Sequence, residues 1–392
     1  MSHAYIIAAA RTPIGKLCGS LASLSAPQLA AHALRACLER AGVSPDVIDE
    51  VILGQVLTAG AGQAPARQAA LGAGLPPTVA ALTVNKVCGS GLKAVMLADQ
   101  AIRAGDARCV LAGGMESMSR APHLSLNLRQ GRRYGDETLV DSMIHDGLRC
   151  AIENWPMGAA ADFIANEHGV TRAAQDAFAL ESHRRAAAAM SAHQFDAEVV
   201  SVTLKSKSGE TVVTLDEGPR RDASLEGLAK LKPAFDPAGT VTAGNASQIS
   251  DGAAALLVVS EDLAHRVNSP IKARILATAT HGVAPKELFF APVGAIEKVL
   301  RKAGVTIADV DLIELNEAFA AQCLACMNAL QLPLEKTNAY GGAIALGHPI
   351  GASGARVLVT LLHALAAQDK AIGLASICLG GGEAVAMIVE RM

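Results

Sequence analysis

Aromatic residues are scarce in this chain. They make up 3% of its 392 residues, while hydrophobic residues as a whole reach 51%. The apolar content is therefore mostly Ala, Val, Leu and Ile, which suits helices packed closely on sheets and not an aromatic recognition surface. Charge of one sign is also lacking. With 34 Lys and Arg against 37 Asp and Glu the formal net charge is −3, which leaves no electrostatic footprint for nucleic acid. No apolar run reaches the roughly 18 residues a transmembrane helix needs, so no membrane partner is expected. The opening residues lack the basic n-region of a signal peptide, and the last residues carry no retention or peroxisomal address. The expected location is cytoplasmic.

Two motif absences narrow the chemistry. The 36 glycines form neither a GxGxxG nor a GxxxxGK[ST] pattern, so neither a dinucleotide fingerprint nor a P-loop is present. There is one CxxC, Cys323 to Cys326, and no second one to complete a zinc site. It lies in an apolar helical run and reads as buried structure, with a redox motif as the alternative. No metal site is expected. The other cysteines, 18, 37, 88, 109, 150 and 378, are scattered, which fits reduced thiols used mostly as small buried hydrophobes.

What is present is an alternation of β-rich runs (51–56, 109–112, 253–259, 374–378) with helical patterns (29–41, 92–104, 293–303, 355–367). This predicts an α/β fold with helix-covered sheets. An internal repeat is also visible. Residues 33–55, ALRACLERAGVSPDVIDEVILGQ, match residues 295–317, AIEKVLRKAGVTIADVDLIELNE, as helix, Gly, acidic loop and strand. Gly42 and Gly304 fall where a helix C′ position wants positive φ. Downstream, Cys88 in NKVCGSGLKAV and His348 in GHPIGASGARV occupy related places in the two halves. Pseudo-twofold packing would make them face each other. Residues 119–246 break the rhythm and read as an insertion on one face: a solvated excursion, or a lid or ligand-binding module.

Local chemistry leaves each candidate with two readings. Cys88 is a core thiol before a glycine turn, or a thiol activated at a helix N-terminus. His348 is a packed histidine, or the base for Cys88. Cys378, followed by Leu379-Gly380-Gly381-Gly382, is a buried thiol beside a turn, or part of an oxyanion hole built from backbone N–H groups. Asn316 is a cap at a strand end, or an amide that holds a water.

Seven strings distributed along the chain decide between these readings: RTPIGK, NKVCGSGLKAVMLA, AGGMESMSRAPH, KPAFDPAGTVTAGNAS, NEAFAAQ, NAYGGAIALGHPIGASG and GLASICLGGGEA. On them the chain resembles the thiolases, the acetyl-CoA acetyltransferases and 3-ketoacyl-CoA thiolases. The resemblance implies two similar α/β halves, each with a helix-covered, mixed five-stranded sheet, and an inserted loop domain. The halves would be 1–118, completed by 247–269, and 270–392. The loop domain, 119–246, would bind CoA and make contacts in a homodimer or homotetramer.

The resemblance also implies roles. Cys88 would carry the acyl group as a thioester, and His348 would activate it and form one oxyanion hole with a water held by Asn316. Cys378 would be the acid/base, and the N–H groups of Cys88 and Gly380 would form the second oxyanion hole. Leu148, Met157, Arg220, Ala243, Ser247, Ala318 and Phe319 would bind acyl-CoA, which is a substrate; no permanently bound cofactor is implied. The implied activity is that of a β-ketothiolase of the acetyl-CoA C-acetyltransferase type, working by ping-pong Claisen condensation and thiolysis. Pro156, where short-chain biosynthetic members have His, keeps a broader-chain degradative 3-ketoacyl-CoA thiolase as the alternative. A decarboxylating ketosynthase and a CxxC redox or binding protein rank below both.

Overall fold

The computed structural model describes residues 3–206 and 209–392; the first two residues of the opening segment, and residues 207–208 of the inserted stretch, lie outside the described residues. The repeat read in the sequence is the plan of the fold. Helix α1 (Ala26–Ala41) begins with a capping box, in which Ser25 and Gln28 each accept the other's backbone N–H. It ends at Gly42 in the left-handed region, φ 61. The related helix in the second half, Ala291–Ala303, ends the same way at Gly304, φ 70.

Besides the two-residue strand Gly15–Lys16, which pairs with Ser250 and Asp251, the main sheet takes strands β1 (Ala4–Arg11), β2 (Glu50–Gly54), β3 (Ala80–Val84), β4 (Cys109–Ser117), β5 (Ser250–Ser260), β6 (Ala273–Gly282), β7 (Leu312–Leu315), β8 (Ile372–Leu379) and β9 (Glu383–Arg391). The first half runs β3-β2-β4-β5-β1 and the second β7-β8-β9-β6. Strands β2, β3 and β4 are parallel, as are β7 and β8, and the remaining neighbours are antiparallel. Where β3 flanks β2, the second half has a single parallel bridge from Ile313 to Thr337. The mixed sheets of the two halves meet edge to edge. Antiparallel pairs Tyr5–Arg274 and Ile6–Ala273 join β1 to β6. Strands β4, β5 and β8 are buried almost throughout, as their continuous apolar runs predict.

Helices α2 (Ser90–Ala104) and α7 (Ile350–Ala367) lie against each other under both sheets. By length and composition α7 could cross a membrane, yet 89% of it is buried inside the fold. The sequence contains no unbroken apolar run there because Arg356 and His363 interrupt it. Both are buried, and the Arg356 guanidinium lies 3.2 Å from the Glu314 carboxylate. The inserted stretch contains two longer helices, 157–167 and 172–191. It is anchored at the end of β1, where the fully buried Arg11 holds Glu198 (2.6 Å) and Asp216 (2.7 Å).

Candidate active site

Cys88 stands on a sharp turn between β3 and α2. The residue before it, Val87, adopts φ 45, a left-handed conformation that is costly for a β-branched side chain. Local hydrogen bonds hold it there. Val87 N–H donates to Asn85 Oδ1 (2.9 Å), and Ser90 Oγ donates to the Val87 carbonyl (2.6 Å). The turn pushes the thiol toward the second half. Burial and the nearby Glu116 carboxylate raise the Cys88 thiol to about 12, while the backbone N–H groups of Gly380 and of Cys88 itself point at the sulfur and favour its thiolate.

His348 precedes α7 as Cys88 precedes α2. Its backbone N–H donates to the Gln248 carbonyl (2.9 Å), and its Nδ1 lies 2.6 Å from Ser353 Oγ. That hydroxyl donates its one proton to the Pro349 carbonyl (2.9 Å). It therefore accepts from Nδ1–H, which leaves Nε2 as the basic nitrogen. Burial, with a smaller effect from Arg356, lowers His348 to about 3, so the imidazole is neutral at physiological pH.

Cys378 lies near the end of β8 and is 1% exposed. Burial raises its thiol well above the usual range, and the Cys88 and Cys326 sulfurs push the same way. Leu379 reaches across and occupies the space beside Gly89 where a side chain would otherwise stand. Past it, Gly380 brings its N–H to Cys88, and Gly381 and Gly382 turn the chain with φ 90 and 92. Asn316, just past β7, is 1% exposed. Neither Oδ1 nor Nδ2 of its amide has a partner among the described residues, so it can hold a polar group.

One cleft of about 650 Å3 gathers these groups. Cys88, His348, Cys378 and Gly380 line it, as do Leu148, Met157, Arg220, Ala243, Ser247, Ala318 and Phe319. Asn316 is the exception: it is buried and is not among the residues that line the cleft. Arg220 is exposed, and its N–H donates to His183 Nδ1 (3.1 Å). Burial and Arg220 lower His183 to about 4, which keeps it an acceptor.

Sequence reasoning placed Phe319 at the site but missed Phe235 and Phe289, which complete an aromatic wall with it. Phe235 lies flat against Gly158 and edge-on to Phe319 (6.4 Å between centroids), and Phe289 meets Phe319 at 5.2 Å. Three of seven Phe converge there, and their scarcity was the available signal. The irregular helix 143–148 adds Met143 and Ile144 to the lining. The glycines beside Cys88 and His348 allow close approach of the protein itself: Gly89, Gly91, Gly351 and Gly354 all press on protein atoms. The CxxC is buried as expected. Cys326 Sγ donates to the Phe289 carbonyl (3.2 Å), and both thiols are free.

Comparison with known proteins finds relatives over the whole chain. The family model described as "Thiolase, N-terminal domain" matches residues 4–262, and "Thiolase, C-terminal domain" matches residues 269–391. An acetyl-CoA acetyltransferase of Cupriavidus necator is 53% identical over 392 residues, and one of Escherichia coli K12 is 52% identical over 393, each covering 100% of both chains. The crystal structure of the Bacillus anthracis acetyl-CoA acetyltransferase superposes with a TM-score of 0.97 at 40% identity, covering 100% of this chain and 99% of that one.

Proposed function

The chain belongs to the thiolase family, and on that premise we propose that it is an acetyl-CoA C-acetyltransferase, condensing two acetyl-CoA to acetoacetyl-CoA and CoA and catalysing the reverse thiolysis. The observation that carries this reading is the convergence of Cys88, His348 and Cys378 on one cleft, with two backbone N–H groups aimed at the Cys88 sulfur.

In the proposed sequence, His348 Nε2 takes the Cys88 proton as the sulfur attacks the thioester carbonyl. The bond to CoA breaks, and CoA leaves with a proton from Cys378. Cys88 now carries the acetyl group, and Cys378 is a thiolate. Cys378 then removes an α-proton from the second acetyl-CoA. The resulting carbanion attacks the acetyl carbonyl, the new C–C bond forms, and Cys88 departs and recovers its proton from His348. The N–H groups of Cys88 and Gly380 would stabilise the tetrahedral oxyanion, and His348 with a water held by Asn316 the enolate. A thiol at about 12 beside a neutral imidazole supports this order: the nucleophile rests protonated and has a base ready.

Arg220 at the cleft mouth suits the CoA phosphates, and the apolar walls suit the pantetheine arm and a short acyl group. Assembly as a homodimer or homotetramer is part of the proposal. It is supported by the edge strand β3, where Leu82 is 44% exposed, and by the exposed Leu126, Leu128 and Leu139 of the inserted stretch. A cytoplasmic location fits eight unpaired cysteines.

The test is thiolysis of acetoacetyl-CoA and of longer 3-ketoacyl-CoAs by the purified chain, with mass spectrometry of the intermediate. Activity highest on the four-carbon substrate and an acetyl group on Cys88 are expected. A Cys88→Ser variant that thiolyses at the parent rate would remove the nucleophile assignment, and a profile that rises with chain length would favour the degradative class.

A further inference from the structure

Glu116 is a buried carboxylate that the proposed reaction does not use. It lies in β4, is 0% exposed, and has no cation among the groups acting on it. Its partners are three backbone N–H groups. Val56 (3.0 Å) and Gly351 (2.9 Å) donate to Oε2, and Leu57 (3.2 Å) donates to Oε1. The donors come from two segments that frame the reactive sulfur. Val56 and Leu57 leave β2 and form one apolar wall with Met118 and Ile350, against which Cys88 packs. Gly351 lies in the first turn of α7, three residues after His348, where helix N–H groups have no partner within the helix.

We propose that Glu116 is a positioning residue for the Cys88–His348 pair: its carboxyl locks the wall beneath Cys88 to the helix start behind His348 and, when ionised, places a negative charge near the thiol. This rests on the thiolase reading and deepens it. The fit is specific to a carboxylate at that place. A Cβ on Gly351 would stand 2.6 Å from Glu116 Oε2, so the glycine makes room for the oxygen. An amide in place of the carboxylate would aim its NH2 at one or two N–H donors, because both oxygens are occupied as acceptors. Without a counter-charge, burial raises Glu116 to about 7, with Asp251 on the adjacent β5 adding to the rise. The titratable groups acting on Cys88 are Glu116 and Cys378, with His348 lining the same cleft, and the Glu116 charge acts against thiolate formation.

The test uses Glu116→Gln and Glu116→Asp in the full chain, with folding checked by thermal denaturation. Two quantities are measured: kcat and KM for acetoacetyl-CoA thiolysis, and the pH profile of Cys88 alkylation by iodoacetamide in substrate-free protein. The Gln variant is expected to lose about tenfold or more in kcat with KM nearly unchanged, as a small displacement of reacting groups does. Its alkylation profile should move to lower pH. The Asp variant keeps the charge and should keep the parent profile while kcat falls less. If Gln does not fold, Asp still decides, because an Asp variant with parental kcat overturns the positioning role. A Gln variant with parental kcat, or an unmoved alkylation profile, also overturns it. Alkylation needs no substrate, so failure of the thiolase reading, seen as a parent protein without thiolysis, is distinguishable.

Discussion

Gly91 in α2 and Ala355 in α7 are in backbone contact. A Cβ placed on Gly91 would lie 2.7 Å from the Ala355 nitrogen, and one on Gly354 would lie 2.6 Å from the Leu92 nitrogen. The reciprocal contact brings the starts of two helices together, and Cys88 and His348 stand just ahead of those starts. The close crossing therefore sets the separation of the two residues.

Gly91→Ala should destabilise the protein and lower thiolysis. Replacing Gly by Ala in a helix normally gains about 1 kcal/mol. Overpacking a contact made of backbone atoms costs about 1–3 kcal/mol, so the loss wins. Urea unfolding and steady-state rates check this. Activity lost out of proportion to stability is expected, and a more stable, fully active variant would remove the argument.

Arg11→Ala should be among the most destabilising single changes. It strands Glu198 and Asp216, both buried and both bound to the guanidinium. Removing one member of a buried ion cluster costs about 3–5 kcal/mol. The midpoint of chemical denaturation is the measurement, and a shift equivalent to a surface pair would count against it.

Acid should act on stability through the buried histidines. His348 is lowered to about 3 and His183 to about 4, each mainly by burial. Between those values and the ordinary histidine range near 6.5 the unfolded chain binds more protons than the native one, so stability falls as pH drops through that window. His348→Asn should flatten the fall below pH 6.5 while abolishing acyl transfer. An unchanged slope would show that the imidazole is not titrating as described.

Thiol reagents should distinguish the cysteines. Cys18 is exposed and Cys88 partly so, while the other six are buried. Peptide mapping after brief alkylation should find Cys18 and Cys88 labelled first, and acetyl-CoA should protect Cys88 alone. Early labelling of Cys323 or Cys326 would reopen the redox reading of the CxxC.

Much of the fold was legible in the sequence because its signals are local. The helix, Gly and strand of the repeat depend on φ preferences and side-chain periods, and Gly42 and Gly304 adopt the positive φ that their positions predict. Cys88, His348 and Cys378 stood out through motif and repeat. Their surroundings did not. Phe235 meets Phe319, and Gly91 meets Ala355, only because the chain folds back to bring residues far apart in sequence into contact.

The sequence by itself determined the α/β class, the two related halves and the residues that carry the proposed chemistry, since each is written in neighbouring positions. Only the tertiary structure decided that the glycines beside Cys88 and His348 pack on protein atoms, that Asn316 is buried with an unpartnered amide, and that Glu116 receives three N–H groups. Burial and many hydrogen-bond partners are set by residues distant in sequence, as Gly351 is from Glu116, and the same burial holds His348 neutral and the Cys88 thiol protonated.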